Sequence, residues 1–155
     1  MVGVSVFVAW EKISYYFVLG TEDEVNMMAR PILYIGAVEI LKDFPDLKIY
    51  FHAWWYWKDE LKECEKTFPN LRIGCTNVIE YPSAEKIRES ICNIRTAKIL
   101  TETDAPFLPP QCLRWQQNEP AYVTYVYNKL CELLKINNEE LEKIIEENTR
   151  SLYQI

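Results

Sequence analysis

Lys98-Ile99-Leu100-Thr101-Glu102-Thr103-Asp104-Ala105-Pro106 decides how this chain is read. It opens as a short apolar strand and runs into two acids. Pro106, Pro109 and Pro110 then forbid further regular structure. Upstream the same design recurs. Leu71-Arg72-Ile73-Gly74-Cys75 follows the turn residues Pro69 and Asn70, and Lys48-Ile49-Tyr50-Phe51 leads into His52. Pro31 to Ile35 is a further apolar run. The starts at 48, 71 and 98 lie 23 and 27 residues apart, the length of a compact strand-helix-strand unit. The fold expected is therefore α/β, with parallel strands near 31–35, 48–52, 71–76 and 98–103 and helices over one face.

The segments between the strands carry helical spacing. Ala37, Val38, Ile40 and Leu41 precede a Phe44-Pro45-Asp46 stop, and Trp57, Leu61, Cys64 and Phe68 share one face. Ile87, Ile91 and Ile94 form another buried stripe, in a helix that Ser83 is expected to cap. Two helices close the chain. Pro120 suits the first turn of one, whose apolar side is Val123, Val126, Tyr127, Leu130 and Leu134. The other starts near Asn137 or Asn138, turns Leu141, Ile144, Ile145 and Leu152 inward, and is expected to pair Glu139 with Lys143.

With 155 residues, 49% of them hydrophobic, the chain has material for one domain with a real core. The net charge of −6 repels phosphate, which argues against a general nucleic-acid coat protein and confines any such contact to a local basic pocket or a bound metal. The isolated glycines offer no phosphate-cradling loop. Five cysteines without a CxxC pair read as reduced, mostly buried thiols of an intracellular protein, cytoplasmic or nuclear. The apolar stretch from Val2 to Leu19 is split by Glu11 and Lys12 and lacks a basic leader or cleavage site. It is expected to be neither signal peptide nor membrane span, but a buried strand or helix, or residues from a misplaced gene start.

In a parallel α/β sheet the carboxyl ends of the strands line the ligand crevice, so His52 and Asp104 are the first candidates for chemistry. His52, the sole histidine, suits a divalent metal, or else a hydrogen-bonded place among Trp54, Trp55, Tyr56 and Trp57. Asp104 is expensive beside a buried strand unless a metal, a cation or backbone donors meet it, and its alternative is a cap of the following turn. Glu102, two residues earlier, shares a face with Asp104 in an extended chain and could orient a ligand. Arg114 is the best placed cation for a phosphate oxygen, or a solvated loop arginine. The run Trp54 to Trp57 reads as core and rim packing or as a base-stacking surface.

Residues 99–108, Ile-Leu-Thr-Glu-Thr-Asp-Ala-Pro-Phe-Leu, closely resemble the E-T-D-(A/S)-P motif on the last barrel strand of TatD DNase-like metal-dependent hydrolases. Asn118-Glu119-Pro120-Ala121 is similar to that family's N-E-P-(A/S) helix start, and Glu147-Asn148-Thr149 to its terminal E-N-(A/T). Lys48 to His52 is similar to the strand ending in H-C-F-(S/T)-G, although Ala53 to Tyr56 replace the rest of that motif. Pro31 to Gly36 falls where the family has a histidine-ending strand, and no histidine stands there.

The resemblance implies part of a (β/α)8 TIM-type barrel, roughly its last three to four strand-helix units, over residues 30–155, with 1–29 left unmatched. It implies hydrolysis of phosphodiester bonds in DNA or another nucleic acid with a divalent metal (Mg, Mn or Zn). His52 and Asp104 would be metal ligands, Asp104 the catalytic residue, and Arg114 a substrate contact. The family's H-x-H and middle-strand glutamate have no counterpart here. The site is thus expected to be incomplete and the chain weak or inactive, unless a partner chain completes the barrel; the alternative is a pseudoenzyme or interaction module that retains the fold.

Overall fold

A computed structural model of the chain describes residues 38–44 and 46–155, together with the backbone of two strands, β1 (Val4–Trp10) and β2 (Ile13–Leu19). The remaining elements are β3 (Lys48–Phe51), α1 (Lys58–Thr67), β4 (Leu71–Cys75), α2 (Glu85–Asn93), β5 (Ile99–Thr101), α3 (Val123–Leu134) and α4 (Asn138–Tyr153). They form one sheet of order β2-β1-β3-β4-β5.

Strands β3, β4 and β5 are parallel, in the register Ile49–Leu71, Phe51–Ile73, Ile73–Ile99 and Cys75–Thr101. This is the strand-helix-strand repeat that the spacing predicts. The expected strand at 31–35 lies outside the described residues. An all-parallel sheet is not what forms, because β1 lies beside β3 and runs antiparallel to it, and β2 returns antiparallel to β1. Within the apolar amino-terminal stretch, Val4–Trp10 and Ile13–Leu19 are thus strands, and their Val, Phe and Tyr content favours a pleated chain.

Alternation along β3 and β4 sorts the side chains between two faces. Ile49, Phe51, Leu71, Ile73 and Ile99 are buried against the helices, where Leu61, Cys64, Ile87, Ile91, Val126, Leu130 and Leu141 meet them. Each such aliphatic side chain contributes about 1.5–3 kcal/mol by leaving water. Phe68, Ile94, Ile145 and Leu152 join the buried set as expected, but Trp57 is exposed and lies under Lys86, 3.8 Å from its Nζ to the ring centre. The position directly before α1 lets that indole swing outward instead of continuing the Leu61–Cys64 stripe.

Several end effects differ from expectation. Ser83 does not cap α2; it lies within the 3-10 turn Pro82–Ala84, and Ala84 precedes the helix. Asn137 does cap α4, accepting from the Glu140 backbone at 2.9 Å. Along α4 the recorded ion pair is Glu146–Arg150, 2.9 Å, rather than Glu139–Lys143. Asn148 is buried and its Nδ2 donates to the Thr96 and Ile99 carbonyls at 2.9 and 2.8 Å, which fastens α4 to the start of β5. All five cysteines are free thiols. Cys64 and Cys75 are buried and Cys131 is half-buried, but Cys92 and Cys112 are exposed, fewer buried than the sequence suggests. Among the described residues no helix is long and apolar enough to cross a membrane.

Candidate metal centre

The face of the sheet opposite the helices carries Tyr50 from β3, His52 just after it, Gly74 from β4 and Glu102 just after β5. Backbone bonds extend the ladder beyond the strands proper: Trp54 N–H donates to the Gly74 carbonyl at 2.8 Å and Glu102 N–H to Cys75 at 3.0 Å. Glu102 is therefore held at the carboxyl edge by a sheet hydrogen bond, and His52 lies between Phe51 of β3 and the bonded Trp54.

Glu102 reaches over β4 to β3. Its Oε2 accepts the Tyr50 hydroxyl and meets His52 Nδ1, and its Oε1 accepts the Ala53 backbone N–H. The reach is sterically possible only because position 74 is glycine. A Cβ there would stand 2.5 Å from both Glu102 Cδ and Tyr50 Oη. Burial, followed by the charge and hydrogen bond of Glu102, drives the Tyr50 hydroxyl's pKa well above the usual tyrosine range, so it stays a donor.

Asp104 meets the other side of the same imidazole, with Oδ1 2.7 Å from His52 Nε2. The three side chains converge: one ligand atom from each of His52, Glu102 and Asp104 lies within 4.8 Å of the others. Two backbone departures shape the cluster. Ala53 and Asp104 both sit in the left-handed region, at φ 49° and 57°, an uncommon conformation for residues with a Cβ. The turn at Ala53 aims its N–H at Glu102, and the one at Asp104 bends the chain so that its carboxylate faces His52 although β5 has already ended at Thr101. The sequence expectation of a shared face through an extended strand reaches the right juxtaposition by a different backbone path.

Burial disfavours the charged imidazole, yet hydrogen bonds and charge from Asp104 and Glu102 outweigh it and push the His52 pKa up to about 10. With a carboxylate on each nitrogen, the ring is an imidazolium that links the two acids.

The loop after Asp104 is fastened from below. Asn118 is buried, and its Nδ2 donates to the carbonyls of Thr103, Phe107 and Leu108 at 2.6, 2.5 and 3.1 Å. Its Oδ1 accepts the Glu119 N–H at 2.9 Å. Arg114, on this loop, lies over the Tyr81 ring, 3.8 Å from Cζ to its centre, and reaches Gln111 Oε1 at 3.5 Å, so its cationic face is turned to an aromatic rather than to Asp104. Of the Trp54–Trp57 run, Trp54 is core, edge-on to Phe51 and Tyr56.

The donor set fits a divalent ion on one side of the ring. Glu102 has its oxygens occupied by Tyr50, Ala53 and His52. Asp104 is only 6% exposed, its Oδ1 faces His52 Nε2, and its Oδ2 has no hydrogen bond among the described residues. A buried carboxylate oxygen without a partner is costly, and a cation is the group that would relieve it. His52 Nε2 and Asp104 would hold such an ion and Glu102 would fix the imidazole through Nδ1. Tyr50 and Gly74 are the members of this arrangement that sequence reasoning missed. Tyr50 shares the His52 face two residues earlier, and an isolated glycine inside a strand often marks a close approach.

Comparison with known proteins adds the following. A family model described as TatD-related DNase matches residues 35–154. An uncharacterized metal-dependent hydrolase, YabD of Bacillus subtilis, is 35% identical over 94 residues, 61% of this chain and 36% of that protein. The human 3'-5' RNA nuclease TATDN2 is 30% identical over 123 residues, 76% of this chain and 16% of its own length. The crystal structure of YjjV, a TatD homologue from Escherichia coli, superposes with a TM-score of 0.63 at 28% identity, covering 68% of this chain and 40% of that one. The chain thus spans about a third or less of the length of these two curated relatives.

Proposed function

This chain belongs to the TatD-related DNase family, and from that premise we propose that it supplies one wall of a divalent-metal site for hydrolysis of phosphodiester bonds in DNA or another nucleic acid. The observation that carries the reading is the buried Asp104 carboxylate, with Oδ1 beside Nε2 of an imidazole held from behind by Glu102 and Oδ2 without a hydrogen bond among the described residues. When bound there, a divalent ion would polarise the phosphodiester and lower the pKa of a bound water. Asp104 and His52 hold that ion. Glu102 would keep the His52 proton on Nδ1 while the ion took the place of the proton on Nε2, and Tyr50 and the Ala53 N–H keep Glu102 in place.

A catalytic metal usually takes about three protein ligands, and this chain offers two on the Nε2 side. Weak metal binding and slow cleavage follow for the chain alone. A partner chain that brought further ligands would raise both. Arg114 would serve as a phosphate contact only after leaving Tyr81.

The test is a titration of the chain with manganese or zinc, followed by cleavage assays on single-stranded DNA and RNA beside Asp104→Asn and His52→Ala. The proposal expects weak, saturable metal binding that both substitutions abolish, and cleavage far below that of a full-length relative. Metal binding unchanged by Asp104→Asn would end it. Binding with no cleavage under any metal would favour the second reading, a non-catalytic module that keeps the fold.

A further inference from the structure

The opposite end of the same sheet face holds a second cluster, and it is basic. Lys48 opens β3, Arg72 is the second residue of β4, and Lys98 immediately precedes β5. Asn70 and the end of α4, at Ser151 and Leu152, line a small, solvent-open recess around Lys48 and Arg72. Lys48 stands four residues before His52 on one strand, about 13 Å at roughly 3.3 Å per residue, so the recess is separate from the metal centre.

These cations meet only neutral acceptors. Lys48 Nζ donates to the Ser151 and Leu152 carbonyls at 2.5 and 3.4 Å. Arg72 donates from Nη1 to the Leu71 carbonyl at 3.0 Å and from Nη2 to Ser151 Oγ at 3.1 Å, while its Nε is buried without a hydrogen-bond partner. Lys98 Nζ donates to the Pro69 carbonyl. Glu65, whose charge reaches Lys98, is paired with Arg95 Nε at 3.5 Å. Among the described residues no ion pair involves Lys48, Arg72 or Lys98. Burial and then the Arg95 charge lower the Arg72 pKa, and burial with the Arg95 and Arg72 charges lowers that of Lys98 to about 8. Lys48 and Arg72, which line the recess, are partly buried like charges with no ion pair among the described residues, and an anion is the group that would offset them.

We propose that the recess lined by Lys48, Asn70, Arg72 and Ser151 binds a small oxyanion of the phosphate class, free or as the phosphate of a mononucleotide. The Arg72 guanidinium and Lys48 Nζ are its charged groups, since a guanidinium suits a tetrahedral oxyanion and a lysine serves it as a point charge. The recess is too small and too open to enclose a base, so only the phosphate would be held.

The test uses the full 155-residue chain with a chelator present, so that metal at the His52–Asp104 end plays no part. Thermal unfolding is followed while sodium phosphate is added, against sodium chloride at matched ionic strength. The expected result is a saturable rise in Tm of about 3–5 °C at tens of millimolar phosphate. The rise should exceed that with chloride, fall several-fold in Lys48→Gln and Arg72→Gln, and persist in Asp104→Asn. Adenosine 5′-monophosphate in a parallel arm assigns the source: tighter binding than phosphate points to a nucleotide, equal or weaker binding to the free anion. Should Arg72→Gln fail to fold, Lys48→Gln carries the comparison. An equal shift with chloride, or a phosphate shift that survives in the basic-site variants, would overturn the proposal. Because Asp104→Asn leaves this readout in place, failure here is distinct from failure of the hydrolase reading.

Discussion

Glu102 accepts the Tyr50 hydroxyl across an intervening strand, through the gap that Gly74 leaves in β4. One carboxylate thereby gathers a phenol from β3 and an imidazole and a backbone amide from the two residues after it, two strands away from β5 in the sheet order. A charge-assisted bond to each donor stabilises the carboxylate and fixes its rotamer.

Gly74→Ala should therefore act at long range for so small a change. The added methyl would displace Glu102 or Tyr50, and overpacking of this kind costs about 1–3 kcal/mol. Urea unfolding measures it. In a Glu102→Ala background the same substitution should cost distinctly less, because its principal obstacle has gone. Additive losses in the double variant would show that Gly74 matters for another reason.

The proposed metal centre makes a separate prediction for Glu102, since a carboxylate behind a ligating imidazole orients it without touching the ion. Glu102→Gln should lower manganese or zinc affinity by roughly 10–100-fold. Asp104→Asn should abolish it. Isothermal titration of both variants ranks them, and equal loss in the two would make Glu102 a direct ligand instead.

Much of this arrangement is legible in the sequence. The strands at 48–51, 71–75 and 99–101 stand out because short apolar runs are bracketed by Pro69-Asn70 and by the proline loop after Asp104. His52 and Asp104 follow from the rule that strand ends line the crevice. The hydrogen-bonding of Glu102 is less legible, because it depends on cross-strand register and on a missing side chain at position 74. Nor does local pattern reveal the left-handed turns at Ala53 and Asp104; neither residue is glycine, and the surrounding contacts impose the conformation. Arg114 goes to Tyr81 because a loop arginine takes whichever partner the turn presents. The basic recess escapes notice for a similar reason, as Lys48, Arg72 and Lys98 are far apart in sequence and read singly as strand-start polarity.

Lys98 gives a pH-dependent prediction whose sign is fixed by its lowered pKa. In the folded chain it loses its proton near pH 8, whereas the unfolded chain retains it to about 10.5. Between those values the unfolded state binds more protons, so this residue's contribution to stability rises with pH across that window. Below pH 8 both states are charged and the burial penalty is fully felt. Lys98→Met removes the linkage. The stability of the parent relative to Lys98→Met should therefore improve between pH 7.5 and pH 9.5, by urea midpoints at each. A constant difference would mean that the ammonium is not destabilised by its surroundings.

Asn118 offers the sharpest test of how the Asp104 loop is held, because its amide faces three carbonyl oxygens and one N–H at once. Asn118→Ala deletes the donors to three partly buried carbonyls, of which only that of Leu108 keeps another side-chain donor, Asn77, a loss of about 1–3 kcal/mol. Asn118→Asp is nearly isosteric and keeps the acceptor for Glu119, but it turns a carboxylate toward the Thr103, Phe107 and Leu108 carbonyls. Repulsion and desolvation then add to the lost donors, so the aspartate variant should be the less stable of the two at neutral pH. Its deficit should shrink as the pH falls through the carboxyl's titration range, because protonation restores one donor, whereas the alanine variant gains nothing comparable. Urea unfolding at pH 7.5 and pH 5 would read both effects. An aspartate variant as stable as the parent at pH 7.5 would mean that the loop is not organised by the Asn118 amide, and that Asp104 owes its position to something other than this anchor.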